Sequence, residues 1–218
     1  MVTASSETAR EAYEGQFGPF VITPDDRREV LIYRYGLAVA AFSFALAVTL
    51  LLFGKTIPGL LWWVSGLYAS MWASLGVSLW FIHIYLRPLH QALQVFWLAG
   101  GVASAGIAIA VPGPLAFTVY QYPLSILGIG FTFAALTGIF FKEAFCFNRL
   151  ETKLLTLLVP AMLLSHMMGA LPLALGKDLL VVWAILFTVF AGRKLVQPIP
   201  PDIGDKSVFE YLEQQRRA

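Results

Sequence analysis

Apolar residues along this chain gather into six blocks, each near the roughly 20 residues a helix needs to cross a bilayer. The pattern predicts spans over about Leu31 to Phe53, Leu60 to Leu86, Leu93 to Val111, Leu124 to Phe141, Leu154 to Leu175, and Leu179 to near Ala191. The sixth block is the shortest. Arg193 and Lys194 follow it, placed to snorkel and leave Leu195 and Val196 in the interface. The breaks carry turn chemistry: Lys55 and Pro58 within 54–59, Arg87-Pro88, and Pro112-Gly113-Pro114 ahead of an uncharged wet loop with Tyr120, Tyr122 and Pro123. The polar stretch Lys142 to Lys153 and the Gly176-Lys177-Asp178 turn complete them.

The flanks read differently. Residues 1–22 have the look of an extended or weakly ordered arm carrying Tyr13, Phe17 and Phe20. Thr23-Pro24-Asp25-Asp26 starts a helix: threonine caps, proline suits the first turn, and two carboxylates meet the positive end of the dipole. Beyond the prolines at 198, 200 and 201, Ser207-Val208-Phe209-Glu210 opens a short helix with Phe209 and Leu212 on one side, to lie on the membrane, on a partner or in solvent. The expected class is all-α, a polytopic membrane bundle of six helices: an N-terminal arm over 1–30, the membrane domain over 31–196, and a tail over 197–218.

Composition strengthens this. The 218 residues are 58% hydrophobic and 13% charged, where a soluble domain carries about 25% charged residues. A net charge of +2 with no basic patch gives no reason to expect nucleic acid. A single cysteine, Cys146, cannot form an internal disulfide. The polar N-terminus lacks the basic and apolar regions of a secretory signal, so the first span is expected to direct insertion.

Charge also sets an orientation. With six spans, Arg10, Arg27, Arg28, Arg34, Arg87, Lys142, Arg149, Lys153, Arg193, Lys194, Lys206, Arg216 and Arg217 share one side. Only Lys55 and Lys177, of 15 basic residues, fall on the other. The positive-inside rule then places both termini in the cytoplasm. Trp62 and Trp63 sit where an aromatic belt is expected on the far side, level with Tyr120 and Tyr122, whereas Tyr85 and Trp97 lie towards the basic side. Small residues spaced by four suggest packing faces: Gly130, Ala134 and Gly138; Gly101 with Ala105; Gly106 with Ala110; Gly66 with Ser70. No internal repeat relates the two halves.

Candidate chemistry is sparse. No Asp, Glu, Lys or Arg falls in the middle of an expected span, which argues against a proton pump built on a buried carboxylate. No metal motif is present, no catalytic residue stands out, and the chain leans away from being an enzyme. His83, near the basic end of the second span, and His166, near the middle of the fifth beside Met162, Met167 and Met168, are candidate cofactor ligands for haem or chlorophyll. Their depths, roughly 4–5 Å and 18 Å from the span ends, argue against one shared haem. The competing reading of each is a histidine hydrogen-bonded to a neighbouring helix. No cofactor is required. His90, beside Arg87, suggests an interfacial cluster or an anionic headgroup site. The segment with Lys142, Glu143, Cys146, Asn148, Arg149 and Glu151 mixes aromatics with alternating charge and reads as an ordered interfacial turn, a candidate docking surface. There Lys142 and Glu143 can pair with Arg149 and Glu151 if the segment folds back.

The stretch from Phe141 to Lys153, continuing through Leu154-Leu155-Thr156-Leu157-Leu158-Val159-Pro160, resembles the signature of an uncharacterised family of integral membrane proteins from cyanobacteria and related plastids. The resemblance implies a photosynthetic prokaryote and a thylakoid or cytoplasmic membrane, and assigns no residue a role. Three functions are then expected in order: a non-catalytic scaffold or assembly partner of other membrane complexes; a small-solute transporter or channel; and a haem- or chlorophyll-binding protein. The lipid bilayer and membrane-protein partners are the expected surroundings.

Overall fold

The computed structural model describes residues 12–217, with the side chains of 216 and 217 excepted. Arg10, the first eleven residues of the expected arm, and the side chains of Arg216 and Arg217 therefore lie outside the described residues. Six helices are long and apolar enough to cross a membrane: α1 (Pro24–Phe53), α2 (Leu60–Phe81), α3 (Arg87–Ala110), a span Pro123–Phe147 that begins with one 3-10 turn, α6 (Leu150–Met167) and α7 (Leu173–Val196). The short α4 (Leu115–Gln121) precedes the fourth span, whose α-helical part is α5 (Ile126–Phe147). Two short helices, α8 (Pro200–Ile203) and α9 (Lys206–Arg217), end the described chain, and an antiparallel hairpin, β1 (Ala12–Gly15) with β2 (Gly18–Val21), begins it.

Local chemistry explains the boundaries. Thr23 caps α1 in a full capping box, its hydroxyl accepting from the Asp26 N–H (3.2 Å) while the Asp26 carboxylate accepts from the Thr23 N–H (2.7 Å). Expected and observed ends part company at four places. The second span stops at Phe81, not Leu86: the backbone turns extended at Ile82 (φ −71°, ψ 132°), and the His90 ring meets the freed Leu79 carbonyl at 2.6 Å. This spends His90 inside the protein, and Arg87 pairs with Glu213 of α9 at 2.5 Å. The loop expected around 112–123 contains α4.

The polar stretch Lys142 to Lys153 is not a loop. Helix α5 runs on to Phe147, Asn148 takes a left-handed conformation (φ 51°), and α6 starts at Leu150. The fifth span ends at Met167, where Gly169 (φ 66°) reverses the chain and Pro172 leads into α7. The expected turn at Gly176-Lys177-Asp178 is therefore the first part of a helix of 24 residues.

Around the bundle α1 packs on α2 and α7, α3 on α2 and α5, and α6 on α5 and α7, closing a ring. Its centre is filled by Leu37, Leu75, Leu79, Leu136, Phe140, Trp183, Phe187 and Phe190. Outward residues such as Phe42, Trp80, Val102 and Ile109 are exposed and apolar, as lipid-facing positions are. Close approach does occur through small residues, but at Gly100 and Gly128, whose missing Cβ atoms make room for Thr132 and Ala103. Gly138 takes Leu93 as its neighbour; Gly66 and Gly106, expected at helix contacts, face open space. Two tryptophans cross between α2 and α3. Trp72 lies on Gly101 and Trp97 on Gly76, and each indole donates to the other's carbonyl, at 3.0 and 2.8 Å.

The ends of the chain hold each other. Phe17, in the hairpin turn, stacks on Tyr211 of α9 at 3.9 Å, and its N–H donates to Ser207 Oγ. The Gln16 N–H donates to the Asp205 carboxylate, while Phe209 packs against Tyr85. The α9 helix is thus docked on the protein's own N-terminal hairpin.

Candidate functional site

One face of α7 repeats at the spacing of a packed helix: Leu180, Trp183, Phe187, Phe190, then Lys194. The last of these follows the stripe inward instead of snorkelling, and Lys194 is fully buried. Its ammonium donates to Glu143 Oε2 of α5 at 2.9 Å and contacts Asp202 Oδ1 of α8. Glu143, also fully buried, accepts at its other oxygen from Lys142 (2.9 Å) and from the Tyr33 hydroxyl (3.1 Å). Asp202 receives Arg34 of α1, with Nε at 2.8 Å and Nη2 at 2.6 Å. The remaining Arg34 donors reach the carbonyls of Gln197 and Pro198. Every oxygen of both carboxylates is bonded, the condition under which buried charge is tolerable. Phe147 presents its ring to Lys194, Lys142 and Arg149.

The charges of this cluster lie towards the ends of their helices, as the absence of charge from the span centres allows, but they turn inward. Arg34, Glu143 and Lys194 belong to helices α1, α5 and α7, and all three are buried. Of the six residues expected at a docking turn, Glu143 and Glu151 point inward; Glu151 faces Arg193 at 3.2 Å. Arg149 donates to Gln197, and Asn148 accepts from Lys153. Cys146 is exposed. The expected pairing of Lys142 and Glu143 with Arg149 and Glu151 does not form; Lys142 pairs with its own neighbour instead.

At the other end of α1, α5 and α7 lies a cavity of about 680 Å³, lined by residues of those helices and of α4 and α6. Val48, Leu52, Ile126, Leu163 and Leu180 give it an apolar wall, and Tyr120, Gln121, His166 and Lys177 are its polar groups. Val48 and Leu180 are each fourteen positions from Arg34 and Lys194, or about 21 Å along a helix. Aromatic rings fill the interval. Phe44 meets Trp183 at 4.5 Å, Phe133 meets Trp183 at 5.4 Å, and Phe140 lies edge-on to Phe187 and Phe190.

The two candidate histidines are far apart. His166 sits in the last turn of α6, at the cavity, with its ring 6.2 Å from Tyr120. It is therefore terminal, not central, because its helix ends at Met167. His83 lies between α2 and α3 at the basic end, with Nε2 3.4 Å from Glu29. Burial holds its imidazole below the ordinary value, against the opposing pull of Glu29. Opposite ends of the bundle rule out a haem shared by the pair. Among the described residues, no group of three or more His, Cys, Asp or Glu is placed to hold a metal.

Nothing local marks Asp202 as an interior residue, since it lies in the tail, six residues past the end of α7. Lys194 and Glu143 carried a signal, since each continues the inward stripe of its helix: Ile129, Thr132, Leu136, Ile139, Glu143 on α5, and Trp183, Phe187, Phe190, Lys194 on α7.

A family model described as Uncharacterized integral membrane protein (DUF2301) matches residues 77–211, from the end of α2 into α9. Neither the curated proteins nor the solved structures contain a match.

Proposed function

The chain belongs to the DUF2301 family of integral membrane proteins, and we propose that it works there as a small-molecule carrier whose cavity faces away from the basic end. One observation carries this reading. Three helices that line an open cavity at one end are locked together at the other by Lys194, Glu143, Asp202 and Arg34, with aromatic and aliphatic side chains packed between. A cavity accessible from one side and a breakable polar seal towards the other are the two parts that alternating access requires. Charge buried within a membrane bundle is costly, so its retention points to work done by the seal.

Orientation follows from the basic residues: the sealed end, carrying most of the cationic side chains, is proposed as cytoplasmic, with both termini there. The thylakoid or cytoplasmic membrane of a photosynthetic prokaryote is the proposed location. The carrier is preferred to a scaffold because Arg34, Glu143 and Lys194 are buried and Phe17 stacks on Tyr211, which leaves fewer groups for a partner. For a pigment, His166 is the histidine that lines the cavity.

The test needs no substrate. In a Cys146→Ser background, Leu171→Cys in the cavity wall and Ala191→Cys beside the seal are labelled with a membrane-impermeant maleimide applied to each side of proteoliposomes. The expected result is labelling of Leu171→Cys from the cavity side only. Adding Asp202→Asn lowers that labelling and opens Ala191→Cys to the basic side. Labelling that stays the same at both positions after the seal is broken would refute the carrier.

A further inference from the structure

We infer that the cavity binds a small amphiphile with an anionic head, the head held at Lys177 and His166 and the tail lying along Val48, Ile126 and Leu180. The inference deepens the carrier reading and rests on it for the role of the site; the binding itself is separately measurable.

Size and depth come first. At about 680 Å³ the cavity falls in the roughly 300–1,000 Å³ range of small-molecule sites. That suits a small amphiphile and not a whole bilayer lipid. Its wall carries no charged side chain below the rim, and Phe44 and Trp183 pack on each other one turn deeper than Val48 and Leu180. A wholly polar solute would lose its hydration there without replacement, whereas an alkyl chain loses nothing.

The sign of the head follows from what the rim offers. Lys177 lines the cavity and no carboxylate does; Asp178 is next along α7 but outside the lining. The start of α7 faces the same space, with Pro172, Leu173 and Gly176 in the wall and no side-chain cap on its first turn. The carbonyl ends of α1, α4 and α6 also border this space, so the sign of the rim is set by Lys177, the one side chain of fixed charge in its lining. The imidazole of His166 adds a hydrogen-bond donor beside the Tyr120 ring.

The full chain in lipid nanodiscs is titrated with dansyl-undecanoate, and the signal of empty nanodiscs is subtracted. The expected result is a saturable, blue-shifted emission, displaced by decanoate at concentrations at least tenfold lower than by decyltrimethylammonium. Lys177→Gln lowers the decanoate affinity about tenfold, the scale of one charged hydrogen bond, and His166→Gln lowers it by less. Leu180→Trp, which fills the wall, removes binding of both amphiphiles; Met162→Phe serves the same purpose if that variant does not fold. Equal displacement by the two amphiphiles, an unchanged affinity in Lys177→Gln, or a signal no larger than that of empty nanodiscs would each overturn the inference. So would a visible absorption band of the purified protein that His166→Ala removes, since a pigment would then occupy the cavity. Charge-selective binding without reciprocal maleimide labelling keeps this inference and sinks the carrier. Reciprocal labelling without anion selectivity does the reverse.

Discussion

At the basic end, α1, α5 and α7 bring Arg34, Glu143 and Lys194 around Asp202; about 21 Å along α1 and α7, the same helices bring Val48 and Leu180 to an apolar cavity. The first region is dry, charged and bonded at every carboxylate oxygen, and the second is open and nearly without charge. Both are made by continuing one inward-facing stripe per helix. What differs is whether a neighbouring segment supplies partners. Residues 197–202 fold back over the basic end and offer two backbone carbonyls and a carboxylate. Over the far end, the short connections at 54–59, 111–122 and 168–172 cross without filling the space between the helices. A seal and a cavity can thus share one set of helices, and the seal, not the cavity, should dominate stability.

The largest effect should come from removing the centre of the seal. Lys194→Met takes one cation from each of Glu143 and Asp202, leaving them Lys142 and Arg34, and it should cost about 3 kcal/mol, the lower end of the penalty for breaking a buried pair. Unfolding in mixed micelles measures this. Adding Asp202→Asn to the same chain should deepen the loss, because buried Arg34 then has no carboxylate.

Two glycines in the left-handed region give the next comparison, one at each end. Gly169→Ala at the far end has open space around it, so only backbone strain of about 1–2 kcal/mol is expected. Gly204→Ala (φ 73°) adds a methyl against the Tyr85 hydroxyl, which bonds the Asp205 N–H. It should cost about 1 kcal/mol more, the price of that hydrogen bond. Equal losses at the two sites would show that the basic end is not the more tightly packed.

At the rim, Lys177→Gln should leave the unfolding midpoint within about 0.5 kcal/mol of the parent, since the side chain is exposed and forms no ion pair among those described. A larger loss would mean that Lys177 serves the fold rather than a ligand.

The smallest effect belongs to pH and the hairpin. Hydrogen bonds from Ser207, then from the Gln16 N–H, hold the half-buried Asp205 carboxyl below its ordinary value of 3.8. A carboxylate with a lowered folded value stabilises the clamp at any pH above that ordinary value. The contribution fades as pH falls through the lowered one. Hydrogen exchange over residues 12–21 should therefore quicken on acidification below pH 3.8, with the thermal midpoint nearly unmoved, and Asp205→Asn should abolish the change. Exchange that is insensitive to acid in the parent would remove Asp205 from the clamp.

The amino-acid sequence by itself determined the six spans, because bilayer thickness imposes a length that any apolar block either meets or misses. It also determined the capping box at Thr23 and the gathering of basic residues at one end, both local or one-dimensional properties. Span ends were legible only to a few residues. His90 capping Leu79 and the two-residue corner at Asn148-Arg149 depend on a partner or a backbone angle that composition does not show. The stripes of α5 and α7 point Glu143 and Lys194 inward, but the seal was decided by tertiary structure, because Lys194 can still snorkel unless Asp202 and Glu143 arrive from two other helices. The cavity is likewise a property of how five helices fail to meet. A hydrophobic pattern says which faces turn inward; only packing says whether they close.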